Sequence, residues 1–372
     1  MKTVTLETAT LADAVMRAAR VAPTKGAAWD KAAGVLIEVY PQNGGTLRVS
    51  ATDLDVTYYQ RVPVVEVGDE PVKWRVPSAL ASGWLSNLPM SAGKQIVLTQ
   101  TDDDNRLQMK AGRSRTKLRL LPAEFFPKIT PFDPALLADV PHFARRVEQV
   151  EWCTRKEPGA LAGVYFDGDE LIACDGVRFV TMPLVCPVPS DDQGRPSPFS
   201  VPLGSLVNVM RNADDVKLRV TDRRLEIMPD PDIQLTASLY AEPYPDVRRL
   251  TAGIVLEHEL TFSREQLLDA LQRMLVLVKT ERYPKVTCSF HKDTLEMKMV
   301  LPEVGETEDE IDVTDGPETP FQIFFNPTNL LGVVRNAARE SLHLHFEPDA
   351  AKPVKFTDES GFTAWLMPME VA

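Results

Sequence analysis

An internal repeat of about 120 residues constrains this chain more than any other feature of its sequence. Leu206-Val207-Asn208-Val209-Met210-Arg211-Asn212-Ala213 and Leu330-Leu331-Gly332-Val333-Val334-Arg335-Asn336-Ala337 share one pattern, 124 residues apart. Each reads as an apolar helix with one Arg, followed by an alternating strand, Val216–Val220 or Leu342–Phe346. A fainter copy, Trp84–Leu88 followed by Gln95–Thr99, stands about 122 residues before the first of these. Leu121-Pro122-Ala123-Glu124-Phe125-Phe126-Pro127 is echoed by Tyr240-Ala241-Glu242-Pro243-Tyr244-Pro245, and each closes its repeat. Every repeat opens with a strand and an amphipathic helix: Ala9–Ala22, Phe143–Thr154 and Ser263–Lys279. The third helix begins with a capping box, Ser263 followed by Gln266. Short strands broken by Gly, Pro and Asp turns predict antiparallel sheet rather than βαβ units. The expectation is an α+β chain of three domains, 1–128, 129–250 and 251–372, each with two helices on antiparallel sheet. A unit of that length is a duplicated domain, not a solenoid repeat.

The 372 residues, 44% apolar and 25% charged, suit a soluble globular chain of two or three domains. Met274–Val278, the longest strongly apolar run, is too short for a bilayer, and the N-terminus lacks a signal-peptide pattern. Cys153, Cys174, Cys186 and Cys288 lie far apart with no C-x-x-C, which points to a reducing, cytoplasmic setting. A net charge of −12 argues at first against a nucleic-acid partner. The average hides a gradient. Residues 1–128 carry 17 basic and 13 acidic side chains, 129–250 carry 13 and 19, and 251–372 carry 11 and 21. The two ends of the chain are therefore complementary in sign.

Catalytic signatures are missing. No Walker-type phosphate loop, no G-x-G-x-x-G and no G-x-S-x-G occurs, so neither an active site nor a cofactor is expected. His343 and His345 share a strand face but have no third metal ligand at suitable spacing. Asp102-Asp103-Asp104 reads as a solvated turn. Cys174 has no neighbouring His and reads as a small core residue.

Charge patterning is more informative. Arg113, Arg115, Lys117 and Arg119 recur at every second position, so a strand would point all four to one face. Glu306, Glu308, Glu310 and Asp312 do the same with opposite sign in the third repeat. Two solvated strand faces would explain this, and so would a contact between repeat one of one chain and repeat three of another. Such a head-to-tail contact closes into a ring or runs on as a filament. The repeat helices carry Arg17, Arg20, Arg145, Arg146, Arg211, Arg273, Arg335 and Arg339. Either these are scattered surface arginines, or they line one basic face for phosphates, whose contacts are salt-sensitive and sequence-independent.

Taken together, several motifs resemble the bacterial DNA polymerase III beta subunit, the sliding clamp, over the full length. They are Ala51-Thr52-Asp53-Leu54-Asp55, Gly112-Arg113-Ser114-Arg115, Leu121–Pro127, Leu161-Ala162-Gly163-Val164 and Ala173–Phe179. Tyr244–Arg249, Phe325–Leu331 and Met367-Pro368-Met369-Glu370 complete the set in order. The resemblance implies three DNA-clamp domains per chain and a head-to-tail homodimeric ring with helices facing a channel for duplex DNA. It assigns Arg113, Arg115, Lys117, Leu118, Leu277, Val278, Glu306, Glu308 and Glu310 to the dimer interface. It places Arg17, Arg20, Arg145, Arg146, Arg211, Arg273 and Arg335 toward DNA, with Lys25 standing for a basic loop.

The resemblance also implies a cleft that takes Gln-Leu-x-Leu-Phe-like peptides of the polymerase alpha subunit, the clamp loader and repair polymerases. Its residues here are Leu161, Cys174, Gly176, Val177, Arg178, Phe179, Pro245, Arg249, Leu250, Asn326, Asn329, Val354, Trp365, Met367, Pro368 and Met369. Val177, Phe179, Asn329, Trp365 and Glu370 depart from the family pattern, and a basic residue common near Leu203 is missing. The departures suggest an altered partner preference, as in a paralogue serving a phage or repair polymerase or conferring resistance to a cleft-binding antibiotic. An enzyme with a dispersed active site is the reading from another class.

Overall fold

The computed structural model describes residues 2–369 apart from 25–28, 42–45, 90–92, 101–104, 190–196, 211–212, 279–283, 348 and 350, and not the side chains of 29–30. The first third of the chain holds β1 (Lys2–Glu7), α1 (Thr8–Val21), α2 (Trp29–Ala32), β2 (Val35–Val39), β3 (Thr46–Thr52) and β4 (Val56–Pro63). It continues with β5 (Glu66–Val67), β6 (Val72–Val76), α3 (Ser78–Ser86), β7 (Gln95–Gln100), β8 (Arg106–Ala111) and β9 (Ser114–Arg119). The middle third holds β10 (Ala138–Val140), α4 (Phe143–Glu151), β11 (Val164–Phe166), β12 (Glu170–Cys174) and β13 (Arg178–Pro183). Then come β14 (Phe199–Val201), α5 (Gly204–Met210), β15 (Val216–Val220), β16 (Arg224–Asp230) and β17 (Ile233–Ser238). The last third holds β18 (His258–Ser263), α6 (Arg264–Leu275), β19 (Val286–Phe290), β20 (Thr294–Leu301) and β21 (Gly305–Thr314). It ends with β22 (Phe321–Phe325), α7 (Pro327–Asn336), β23 (Ser341–Phe346), β24 (Val354–Thr357) and β25 (Thr363–Leu366).

The fold is α+β, as the sequence predicts, and every sheet pairing is antiparallel. The chain divides into two compact units, Met1–Ala144 with Pro202–Leu239 and Arg145–Val201 with Tyr240–Ala372. Compactness follows sheet continuity: β17 pairs with β4 in the first unit, and β13 with β25 in the second. Sequence repeats and compact units therefore have different boundaries.

In the first unit a five-stranded sheet runs β5-β1-β7-β8-β9 and an eight-stranded sheet runs β10-β15-β16-β17-β4-β3-β2-β6. Helix α1 buries Leu11, Ala14, Val15, Ala18 and Val21, three or four residues apart, and packs on α3 and α5. Burying a Leu or Val of this kind contributes about 1.5–3 kcal/mol. In the second unit one twelve-stranded sheet runs β14-β11-β12-β13-β25-β24-β23-β18-β21-β20-β19-β22, and α6 packs on α7. Phe290, Phe325, Phe346, Phe356 and Phe362 are buried in its core.

Two motifs prove to be one turn used twice. In Thr52-Asp53-Leu54-Asp55-Val56, Asp53 Oδ1 accepts the N–H groups of Asp55 and Val56 at 3.1 and 2.7 Å. In Cys174-Asp175-Gly176-Val177-Arg178, Asp175 Oδ1 accepts those of Val177 and Arg178 at 3.0 Å each. This Asp-closed turn needs a left-handed residue after the Asp. Gly176 adopts φ 96° without a Cβ, whereas Leu54 is held at φ 87°.

The capping box is half present. Ser263 Oγ accepts the Gln266 N–H at 3.2 Å, but the Gln266 side chain turns to Asp312. Helix α4 ends at Glu151, three residues short of the predicted end, and α6 at Leu275, with Lys279 outside the described residues.

Candidate partner-binding cleft and charged strands

The cleft is built on one face of β11-β12-β13-β25-β24 in the second unit. Antiparallel register places Cys174 opposite Phe179, Phe179 opposite Trp365, and Trp365 opposite Lys355. Directly opposed residues share a face, so these side chains form a row across the sheet. Ile172, Cys174, Phe179 and Val247 make a buried cluster, with Leu161, Tyr165, Tyr244 and Trp365 packed against it and only partly covered. Phe179 stacks on Trp365 at 6.0 Å between centroids, Tyr165 on Tyr244 at 4.8 Å, and Lys355 Nζ lies 5.9 Å from the Trp365 centroid. Apolar side chains stand open around the row: Val177 is 47% exposed, Leu250 68% and Met367 42%. An exposed apolar set beside stacked aromatics suits the anchors of a peptide rather than solvent.

Backbone geometry fixes the rim. Arg178 Nε donates to Asp175 Oδ2 at 2.8 Å, its Nη1 to the Asn329 carbonyl at 3.2 Å, and its guanidinium lies 4.8 Å from the Trp152 ring centroid. Arg178 is thus a strut, not a free charge. Asn326 caps α7 by accepting the N–H groups of Thr328 and Asn329 at 2.9 and 3.2 Å. The Met367 N–H donates to the Val177 carbonyl at 3.3 Å and the Met369 N–H to Phe324 at 2.7 Å, so the C-terminal segment joins the turn to the β22 edge. Pro368 and Val354 are buried, and Val354 lies opposite Leu366. Pro245 and Arg249 are exposed, with Arg249 Nε 3.3 Å from Asp246. Burial pushes the Cys174 thiol above its ordinary range, which suits packing and not nucleophilic chemistry.

Tyr165, Ile172, Tyr244, Val247 and Lys355 complete the cleft and were not among the predicted set. Period-two counting from Cys174 and Trp365 reaches Ile172 within its own strand, but only the register brings Tyr165 and Lys355 alongside. Beneath the site, a Cβ built on Gly332 of α7 would lie 2.6 Å from Trp152 and 2.7 Å from Arg178 Nη1. Gly332→Ala is therefore expected to destabilise the chain by about 1–3 kcal/mol, read as a lower melting temperature in a thermal scan.

Among the described residues, neither β9 on its outer side nor β21 over Gly305–Ile311 on the side away from β20 has a strand partner. β9 is the outer strand of its sheet, with Arg115, Lys117 and Arg119 exposed on one face. Leu118 points the other way and is buried in its own core. Arg113 departs from the predicted strand: Ala111 pairs with Ser114, leaving Gly112 and Arg113 as a two-residue hairpin loop with Gly112 at φ 55°. β21 pairs with β20 from Gly305 to Asp312 and with β18 only at Val313 and Thr314. Glu306, Glu308, Glu310 and Asp312 are all exposed on one face of it. Lys298, opposite Glu308, donates to that residue and lies 3.6 Å from Glu306. Leu277 and Val278 are partly exposed in the turn after α6.

The helix arginines divide into two groups. In the first unit Arg17 Nη1 donates to the Val209 carbonyl at 2.9 Å and its Nε to Asp13 at 2.8 Å, while Arg20 donates to the Asn208 carbonyl. Both thus cap the C-terminal end of α5, and Arg17 is half-buried. Arg273 in the second unit is held by Asp309 at 2.6 Å. By contrast, Arg145, Arg146, Arg335 and Arg339 converge on one groove of about 510 Å³ with Gln149 and Ser360. Arg146 Nη1 donates to the Ser360 carbonyl at 2.9 Å, and Arg335 and Arg339 are exposed. Lys25, Arg211, Asp102–Asp104 and Glu370 lie outside the described residues. His343 Nδ1 lies 2.9 Å from Thr261 Oγ1 and His345 Nε2 2.9 Å from Thr357 Oγ1, with Glu259 beside both rings.

The solved DNA polymerase III beta subunit of Thermotoga maritima aligns over 100% of both chains with a TM-score of 0.82 at 22% identity. A Pseudomonas aeruginosa sliding clamp solved with griselimycin aligns over 100% of both chains with a TM-score of 0.78, also at 22% identity. Those likenesses show a shared fold. The sequence adds to them. Residues 256–370 match the family model for the C-terminal domain of the DNA polymerase III beta subunit. The Escherichia coli K12 beta sliding clamp is 27% identical over 341 residues, which cover 88% of this chain and 89% of that one. In both sequence and fold, then, the chain is similar to the DNA polymerase III beta subunits.

Proposed function

We propose that the chain is a non-enzymatic processivity factor, a homodimeric ring that encircles duplex DNA and tethers a replicative polymerase through its apolar cleft. One observation carries this reading: a single chain offers a basic bare edge, β9, and an acidic bare edge, β21. Unpaired edges invite strand addition, and opposite charges select β9 of one copy for β21 of another. Two copies joined head to tail at both edges close the ring. The three-domain division, 1–128, 129–250 and 251–372, belongs to this reading.

Encirclement removes the difficulty of an acidic protein on DNA, because only the channel wall needs positive charge. The groove of Arg145, Arg146, Arg335 and Arg339 supplies it in the second unit. Replacing Arg335 and Arg339 together with Ala is expected to flatten the salt dependence of DNA binding. Each lost phosphate contact lowers the slope of log K against log salt by about 0.9, measured by titration on short duplexes from 50 to 200 mM salt. Tethering converts polymerase rebinding into an intramolecular event and so raises processivity without chemistry. The polymerase alpha subunit, an ATP-driven clamp loader and repair polymerases are the expected cleft partners, all in the bacterial cytoplasm. A second reading, a clamp serving a divergent polymerase, draws support from the Phe179–Trp365 stack and Lys355 beside it. Equal binding of Gln-Leu-x-Leu-Phe-like and divergent peptides would argue against that second reading.

The decisive test loads the protein on nicked circular plasmid with loader and ATP, then linearises the DNA. Release on linearisation is the result expected of a ring. Retention on both forms, or loss from both with added salt, would mean ordinary electrostatic binding and would overturn encirclement.

A further inference from the structure

A groove of about 410 Å³ crosses the ends of β10, β15 and β16 in the first unit and shares no residue with the cleft, the charged strands or the arginine groove. Its floor is apolar: Pro141, Val216, Met228, Pro229 and Pro231. The rim is acidic, with Asp139, Asp215 and Asp230 around a single cation, Lys217. Lys217 Nζ lies 3.5 Å from Asp139. Asp215 Oδ1 accepts the His142 N–H at 2.9 Å, with the His142 ring 3.8 Å away, and Asp230 Oδ1 accepts the Asp232 N–H at 2.9 Å. Neither of these two carboxylates has a Lys or Arg partner among the described residues. Asp214, held to His142 at 2.7 Å, adds to the same acidic corner.

An acidic rim repels phosphates, so nucleic acid does not fit here.

We infer that this groove is a second docking site, for an extended peptide segment of a partner protein that alternates apolar with Lys or Arg side chains. The peptide lies across the groove itself: the Met228 and proline floor takes the apolar side chains, and Asp215 and Asp230 take the cations. Thioether and proline surfaces adapt to differing anchors, and charge complementarity sets which peptides enter.

The probe is a fluorescein-labelled nine-residue peptide of alternating Val and Lys, titrated onto the full-length chain by fluorescence polarisation. The same peptide with Glu in place of Lys is the control. Saturable binding of the basic peptide is expected, with none of the acidic one. Asp215→Asn with Asp230→Asn should weaken it about tenfold or more at low salt. Both positions are exposed, and Asn keeps the oxygen that caps the neighbouring N–H. Met228→Glu should weaken a Val-containing peptide more than a Gly–Lys one, whereas Trp365→Ala should leave binding unchanged. Equal affinity for both peptides, indifference to the Asp215/Asp230 pair, or loss through Trp365→Ala would overturn the proposal. So would self-association abolished by that pair with no peptide bound, which would place a second copy in the groove.

Discussion

A Trp365→Ala chain is expected to bind a Gln-Leu-x-Leu-Phe-like peptide at least about 30-fold more weakly than the parent, a loss of about 2 kcal/mol or more. Trp365 sits in the centre of the cleft row, stacked on Phe179, with Lys355 beside it. Removing the indole takes away a partly exposed aromatic surface in the row and leaves Phe179 without its stacking partner. Aromatic residues in such central, desolvated positions carry most of the energy at peptide-binding surfaces. Isothermal titration with a synthetic peptide measures the loss, and a melting scan of the same variant separates it from misfolding. Trp365→Phe should restore most of the affinity, since a ring still covers Phe179. Unchanged affinity in a folded Trp365→Ala chain would place the partner site elsewhere.

If β9 and β21 join the copies as proposed, reversing the charge of one strand edge should dissolve the dimer, and reversing both in separate chains should restore it. In that ring Glu308→Lys with Glu310→Lys would set like charge against the basic β9 edge of the partner copy. Juxtaposed like charges cost several kcal/mol, so dimer affinity is expected to fall at least about 100-fold. Arg115→Glu with Lys117→Glu should do the same from the other side. An equimolar mixture of the two variants should nevertheless form a dimer. One of its interfaces joins the two reversed edges, which are again opposite in sign, and the other joins two unaltered edges. Sedimentation velocity at micromolar concentration distinguishes these outcomes. Two homodimeric variants, or a mixture that stays monomeric, would remove the charged edges from the interface. Individual exposed pairs contribute only about 0–1 kcal/mol. Lys298 already engages Glu306 and Glu308 within the chain, so repulsion is the more sensitive probe than deletion.

Much of the architecture was legible in local pattern. Helix α1 declares itself by apolar residues three or four apart, and β9 and β21 by charges two apart. These signals survive folding because they arise from the geometry of one element. Leu118, which the resemblance assigns to the dimer interface, lies between Lys117 and Arg119, faces the opposite side and is buried. The Asp-closed turns at Asp53 and Asp175 were visible as repeated motifs, but their equivalence emerged only from the matching hydrogen bonds. Arg17 and Arg20 show the limit. In sequence they resemble Arg335 and Arg339, yet α5 packs beside α1 and its terminal carbonyls occupy them.

By itself, the sequence determined the class of fold, the recurring helix and strand patterns, and the faces of the charged strands. Each of these depends on periodicity or on short segments whose conformation is set locally. Tertiary structure alone decided which arginines remain available, which strand edges stay bare, and that Tyr165, Tyr244 and Lys355 join Trp365 in one surface. It also decided where compact units end, because β17 pairs with β4 and β13 with β25 across long stretches of chain. Pairing partners and register are non-local. A strand's own residues fix its two faces, but not which neighbour it meets or which groups that neighbour consumes.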